Sequence, residues 1–274
     1  MDRAIGVFGA IALVIAGILL GPRLRQWRRD RLKRQPFPPL WEALVEQYVP
    51  VYPRLTPLER QRLRGLIQVF LAEKQFIGCG GLVVTLEMRV AIAAIACLLL
   101  LNGRESYFSR LRSILVYPDV YVVQETKATA PHIVEERQVA RLGESWSRDQ
   151  VVLAWAQIQR DRANWRDGHN VVLHEFAHQL DQEDGEAEGV PFLKNRADYQ
   201  TWAQVMAAGY EKLCRDVGRG AKTVLNPYGA TNPAEFFAVA TETFFEKPRQ
   251  LQKREPELYE QLWQYYQLDP SAWV

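Results

Sequence analysis

Two uninterrupted apolar runs dominate the hydropathy pattern, and their lengths separate them. Residues 4–20, AIGVFGAIALVIAGILL, hold no charge or strongly polar group. That length sits at the short edge of the roughly 17–25 residues a spanning helix needs. The second run, VAIAAIACLLLL at 90–101, is too short to span and suits a helix buried in a core. Val84-Thr85-Leu86-Glu87 before it reads as an N-terminal capping signal. Elsewhere the pattern is helical. Residues 41–48 form one segment, and Thr56 caps another, with Pro57 in the first turn and Glu59 three residues on. Leu63, Leu66, Ile67 and Phe70 continue that second helix as an apolar stripe.

Phe76-Ile-Gly-Cys-Gly-Gly81 interrupts the helices and reads as a loop under a backbone constraint. From Ser113 the texture changes. Ile114 to Val116 and Val120 to Val123, split by Pro118-Asp119, read as short strands, as does 151–155. Beyond about Ala156 the chain is helical again. Helices, a few strands, then helices point to an α+β domain, mostly helical with a small sheet, rather than alternating βαβ units.

Composition narrows the class. The 274 residues are 48% apolar and 24% charged, which excludes collagen-like, disordered and disulfide-scaffold readings. Three cysteines without a CxxC pair fit reduced thiols in a cytoplasmic domain. The net charge of +2 hides an asymmetry. Arg23, Arg25, Arg28, Arg29, Arg31, Lys33 and Arg34 crowd 12 positions with one acid, Asp30, whereas residues 35–274 hold 26 Lys and Arg against 30 Asp and Glu.

These cations directly follow Gly21-Pro22 at the end of the first apolar run. A cleaved signal peptide would carry its charge before the run and a small-residue site after it. The arrangement is that of an uncleaved transmembrane helix whose collar holds the downstream domain in the cytoplasm. The expected organisation is a membrane anchor at 1–22, a basic juxtamembrane segment and Pro-rich linker at 23–39, and a domain at 40–274. Nucleic-acid binding is not expected, because juxtamembrane placement accounts for the same cations.

The chemistry concentrates in His174-Glu-Phe-Ala-His178. Histidines four apart on a helix share a face and chelate one ion, and Glu175 lies beside the open side as a general base for bound water. Two imidazoles and a carboxylate suit zinc, with the fourth position left to water. The third ligand is open on spacing alone. Asp184 stands six residues after His178, but Asp181 occupies the bend position where that pattern has glycine. Glu235 lies in the first turn of a later helix that begins Asn232-Pro-Ala-Glu. Glu242, seven residues on, shares its face as a supporting group or substitute ligand.

The chain resembles the Mlc titration factor A family of zinc-dependent peptidases, whose catalytic domain is similar to that of anthrax lethal factor. The resemblance rests on HEFAHQLD at 174–181, on Asn226-Pro-Tyr-Gly229 followed by Pro233-Ala-Glu-Phe-Phe-Ala238, and on Phe76-Ile-Gly-Cys-Gly-Gly81 with Arg89-Val-Ala-Ile-Ala-Ala94. It covers roughly 37–270 and implies a zincin-like domain. It makes His174, His178 and Glu235 the zinc ligands, Glu175 the base and Tyr228 the hydroxyl facing the developing oxyanion. It also implies peptide or protein substrates and a transcriptional repressor as partner. The expected place is the inner (cytoplasmic) membrane of a bacterium, single-pass, with the catalytic domain inside. The alternative is a regulatory titration module whose peptidase site is secondary.

Overall fold

The computed structural model describes residues 20–273 apart from 104, 105, 120, 131, 132, 142, 148, 184 and 186, with backbone alone between 121 and 147. The expected anchor at 1–22 lies almost wholly outside the described residues. Among those described, no helix is long and apolar enough to cross a membrane.

Helix α1 (residues 20–33) is followed by α2 (Pro39–Tyr48) and α3 (Pro57–Glu73). Thr56 forms a capping box with Glu59: its hydroxyl accepts the Glu59 N–H, and the Glu59 carboxylate accepts the Thr56 N–H at 2.7 Å. Strand β1 (Gln75–Gly78) and helix α4 (Leu86–Leu98) come next, with Thr85 accepting the Met88 N–H. Helix α4 has no polar face from Val90 onward and is buried there on every side, against α2, α3 and the later helix Val171–Asp181.

The strands β2 (Ser113–Tyr117), β3 (Tyr121–Ala130), β4 (Ile133–Arg141), β5 (Gly143–Ser147) and β6 (Gln150–Ala154) make two sheets. One is ordered β1-β2-β6-β5, with β1-β2 and β2-β6 parallel and β5-β6 antiparallel. The other is the antiparallel hairpin β3-β4.

One reading of the sequence is corrected. Gln75–Gly78, read in part as loop, is an edge strand, with Phe76 opposite Ile114. Four residues ending in glycine carry too little periodicity to declare a strand whose partner lies almost forty positions away. The expected mostly helical frame with a small sheet is present; the sheet's centre is parallel, with α4 as the crossover between β1 and β2.

The remaining helices are α5 (Trp155–Ala163), α6 (Val171–Asp181), α7 (Arg196–Gly218), α8 (Pro233–Glu246), α9 (Pro248–Arg254) and α10 (Pro256–Tyr266), with a 3₁₀ turn at Pro227–Ala230 before α8. Phe176 on α6 packs at 5.7 Å from Phe70 of α3 and 4.8 Å from Phe108, ring centre to ring centre. Burying such a ring stabilises by roughly 1.5–3 kcal/mol and fixes which face of α6 turns inward. On its other side α6 meets α8, whose Phe237 packs against Trp202 of α7.

Candidate metal centre

Helix α6 starts at Asn170, whose side chain accepts the Leu173 N–H at 3.1 Å. Two more of its N–H groups are taken by carboxylates from neighbouring helices. Val171 N–H donates to Asp161 of α5 at 2.8 Å, and Asn170 N–H donates to Glu242 of α8. Two residues before Asn170, Gly168 N–H donates to Glu246 of α8 at 3.0 Å. A helix N-terminus carries partial positive charge, so these buried acids both satisfy its donors and complement its dipole. The α6 register is thereby tied to α8.

With that register, His174 and His178 face the first turn of α8. Asn232 caps that helix by accepting the Glu235 N–H at 2.9 Å, as its sequence predicts. His174 Nε2 lies 2.9 Å from Glu235 Oε2, His178 Nε2 lies 3.5 Å from the same oxygen, and the two Nε2 atoms are 3.2 Å apart. One ligand atom from each residue falls within 4.8 Å of the others.

The chemistry of this triangle tests its fit to a cation. His174 Nδ1 lies 2.8 Å from Glu242 Oε1, an arrangement in which Nδ1–H donates to the carboxylate. Nε2 is then the atom left facing Glu235 Oε2. Two imidazole nitrogens and a carboxylate oxygen crowd one small volume, which calls for a positive charge among them, either a proton on His174 or a bound metal ion. Glu175, Glu235 and Glu242 add three carboxylates to a site that is nearly closed to water. Buried carboxylates in that number need cationic compensation. A divalent ion with nitrogen and oxygen donors fits the set.

The titration behaviour reports the same field. Burial pushes the His174 imidazole down, but the Glu242 and Glu235 carboxylates outweigh it and hold it well above its ordinary value. Burial pushes Glu235 up, yet its hydrogen bonds to His174 and His178 hold it far below the usual carboxylate range. Glu175 gains no such relief. Burial pushes it up to about 8, with Glu235 and Glu242 adding to the rise against His174. Its Oε2 is buried without a hydrogen-bond partner.

Tyr228, in the 3₁₀ turn, has its ring centre 6.0 Å from that of His174 and is 54% exposed, so it stands at the rim of the site. Asn226 holds the turn by accepting the Tyr228 N–H at 2.9 Å. The structure therefore brings together His174, Glu175, His178, Tyr228, Glu235 and Glu242. The alternative ligand Asp184 lies outside the described residues. Asp181 ends α6 and accepts the Gly189 and Val190 N–H groups at 2.8 and 2.7 Å, folding the chain back toward α8. There Gly189 has φ +77°, and a Cβ on it would stand 2.4 Å from the Pro233 carbonyl oxygen.

Sequence reasoning missed Asp161 and Glu246. Glu246 had a signal: it follows Glu242 by one turn in the apolar stretch FAVATETFFE, the context that singled out Glu235. Asp161 had none, since its partner is a backbone N–H ten residues away.

Comparisons with known proteins identify the family. Residues 24–267 match the family described as glucose-regulated metallo-peptidase M90. The chain is 32% identical to Mlc titration factor A of Salmonella arizonae over 85% of this chain and 92% of that protein. It is 33% identical to Mlc titration factor A of Pectobacterium atrosepticum, over 85% and 87%. An uncharacterized protein of Synechocystis sp. is 47% identical over 94% of each chain.

Proposed function

Since this chain belongs to the glucose-regulated metallo-peptidase M90 family, we propose that it hydrolyses peptide bonds using zinc held by His174, His178 and Glu235. The observation that carries this reading is the convergence of two Nε2 atoms on one Glu235 oxygen, at 2.9 and 3.5 Å. Bound there, zinc supplies Lewis-acid polarisation of the scissile carbonyl and of water.

The protein's own groups do the rest. Glu175 is the general base: its buried oxygen, which has no hydrogen-bond partner, takes a proton from water. Glu242 fixes the His174 ring by accepting from Nδ1. The Tyr228 O–H donates a hydrogen bond to the oxyanion that develops on the carbonyl oxygen. Strand β5 lies against α6 and, among the described residues, is one of the two edges of the sheet, where an extended peptide adds by backbone pairing.

Residues 4–20 tether this domain to the inner membrane, with the cations of 23–34 on its cytoplasmic side. The relatives named Mlc titration factor A favour a second reading, in which the chain holds a transcriptional regulator and hydrolysis is secondary. A Glu175→Gln chain separates the two. Loss of peptide hydrolysis together with the biological effect supports the peptidase. Loss of hydrolysis with the effect intact supports the titration module.

A further inference from the structure

Helix α1 has two faces that differ in what they touch. Its inner face is fastened to the body. The Arg29 guanidinium donates twice to the Glu73 carboxylate, at 2.8 Å each, and stands 4.2 Å from the centre of the Tyr107 ring. Lys33 lies 5.6 Å from the same ring centre and packs along Gly65 of α3, while Leu32 packs on the hydrophobic core. A bidentate pair with both partners largely buried is a directional joint rather than a loose surface contact.

The outer face is apolar and unusually open. Leu20, Leu24 and Trp27 are 49, 62 and 62% exposed. Their spacing of four and three residues puts them in one row. Arg23, Arg28 and Arg31 are exposed beside that row, and the Arg31 guanidinium lies 5.8 Å from the centre of the Trp27 ring. Apolar side chains in a row, an interfacial tryptophan and flanking arginines are the chemistry of a helix lying on an anionic membrane surface. A soluble partner would have to match both the row and the cations, whereas an anionic bilayer does so by its construction.

We propose that this outer face of α1 docks on an anionic lipid bilayer, with Leu20, Leu24 and Trp27 at headgroup depth and Arg23, Arg28 and Arg31 against phosphates. Arg29 then clamps the peptidase body to the docked helix. The inference rests on the tether reading above, which supplies the bilayer. The distances agree with it: Trp27 is seven residues beyond Leu20, about 10 Å along a helix. The consequence is a peptidase held at a fixed attitude to the membrane, favouring membrane-proximal substrates over freely diffusing ones.

The test uses the full chain in vesicles of phosphatidylcholine with or without phosphatidylglycerol. Cys79 and Cys214 become Ser, and fully buried Cys97 is kept. A fluorophore is then placed through Trp27→Cys, Ile11→Cys or Glu211→Cys, and quenching is read with headgroup nitroxide lipid at 27 and 211 and with acyl-chain nitroxide lipid at 11. The expected result is loss of fluorescence at 27 that deepens with phosphatidylglycerol, and none at 211. Quenching at 11 without quenching at 27 overturns the docking and leaves the tether standing. Equal quenching at 27 in both vesicles overturns the anionic commitment. A probe at 27 reached by neither lipid quencher nor aqueous iodide is covered by protein, and this too overturns the docking. Quenching at neither 11 nor 27, with the chain left in the supernatant, overturns the tether itself.

Discussion

His174 Nδ1 lies 2.8 Å from Glu242 Oε1, and the same carboxylate accepts the Asn170 N–H one turn earlier on α6. One side chain of α8 thus sets both the start of the HExxH helix and the tautomer of its first histidine. Glu242→Ala is expected to lower zinc affinity by roughly 10–100-fold. It should also cost about 1–3 kcal/mol from the Asn170 donor left buried without a partner. Zinc competition titration and chemical denaturation of the same variant check both effects.

Tyr228 is half exposed and is not one of the three ligands, so removing its hydroxyl should leave metal binding unchanged. Tyr228→Phe is expected to lower kcat by roughly 10²–10³ with little effect on KM, the pattern of a group that acts in the transition state. Steady-state kinetics at matched zinc content reads this. An equal rise in KM with kcat intact would make Tyr228 a substrate contact instead.

Gly189 has a left-handed backbone and almost touches the Pro233 carbonyl. Gly189→Ala both strains that backbone and pushes on the first turn of α8, which carries Glu235. A stability loss of about 1–3 kcal/mol is expected, accompanied by weaker zinc binding. Thermal unfolding with and without added zinc checks it. A variant as stable as the wild type, with full metal affinity, would mean that α8 does not depend on this contact.

Lys74 is buried, and its ammonium donates to the Phe108 and Leu111 carbonyls at 2.7 and 2.8 Å. Burial pushes it down to about 8, with the nearby Arg29 and Arg25 acting in the same direction and Glu73 opposing. Between that value and the ordinary 10.5 the unfolded chain binds the extra proton, so this group makes stability rise with pH over that window. Lys74→Met removes the rise. The difference in unfolding free energy between the two chains should therefore change from pH 7.5 to pH 10 in favour of Lys74. A constant difference would contradict the assignment.

What was legible in the sequence follows the range of each interaction. Thr56, Thr85 and Asn232 cap helices through hydrogen bonds three residues away, so their residue types announced those boundaries. His174 and His178 were legible for the same reason, since one helical turn relates them. Strand β1 was not, because its order comes from parallel pairing with residues 113–116. Asp161 and Glu246 were hidden likewise. They act on the backbone at 168–171, which becomes their partner only once α5 and α8 pack against α6.

The central claim is that His174, His178 and Glu235 hold a zinc ion on which peptide hydrolysis depends. Its most direct test is bound-metal analysis of the purified chain, paired with peptide hydrolysis, for the wild type, His174→Ala and Glu235→Ala. About one zinc per chain in the wild type is expected, with metal and hydrolysis lost together in both variants. Zinc retained undiminished in Glu235→Ala, or a wild type that is metal-free and inert, would contradict it.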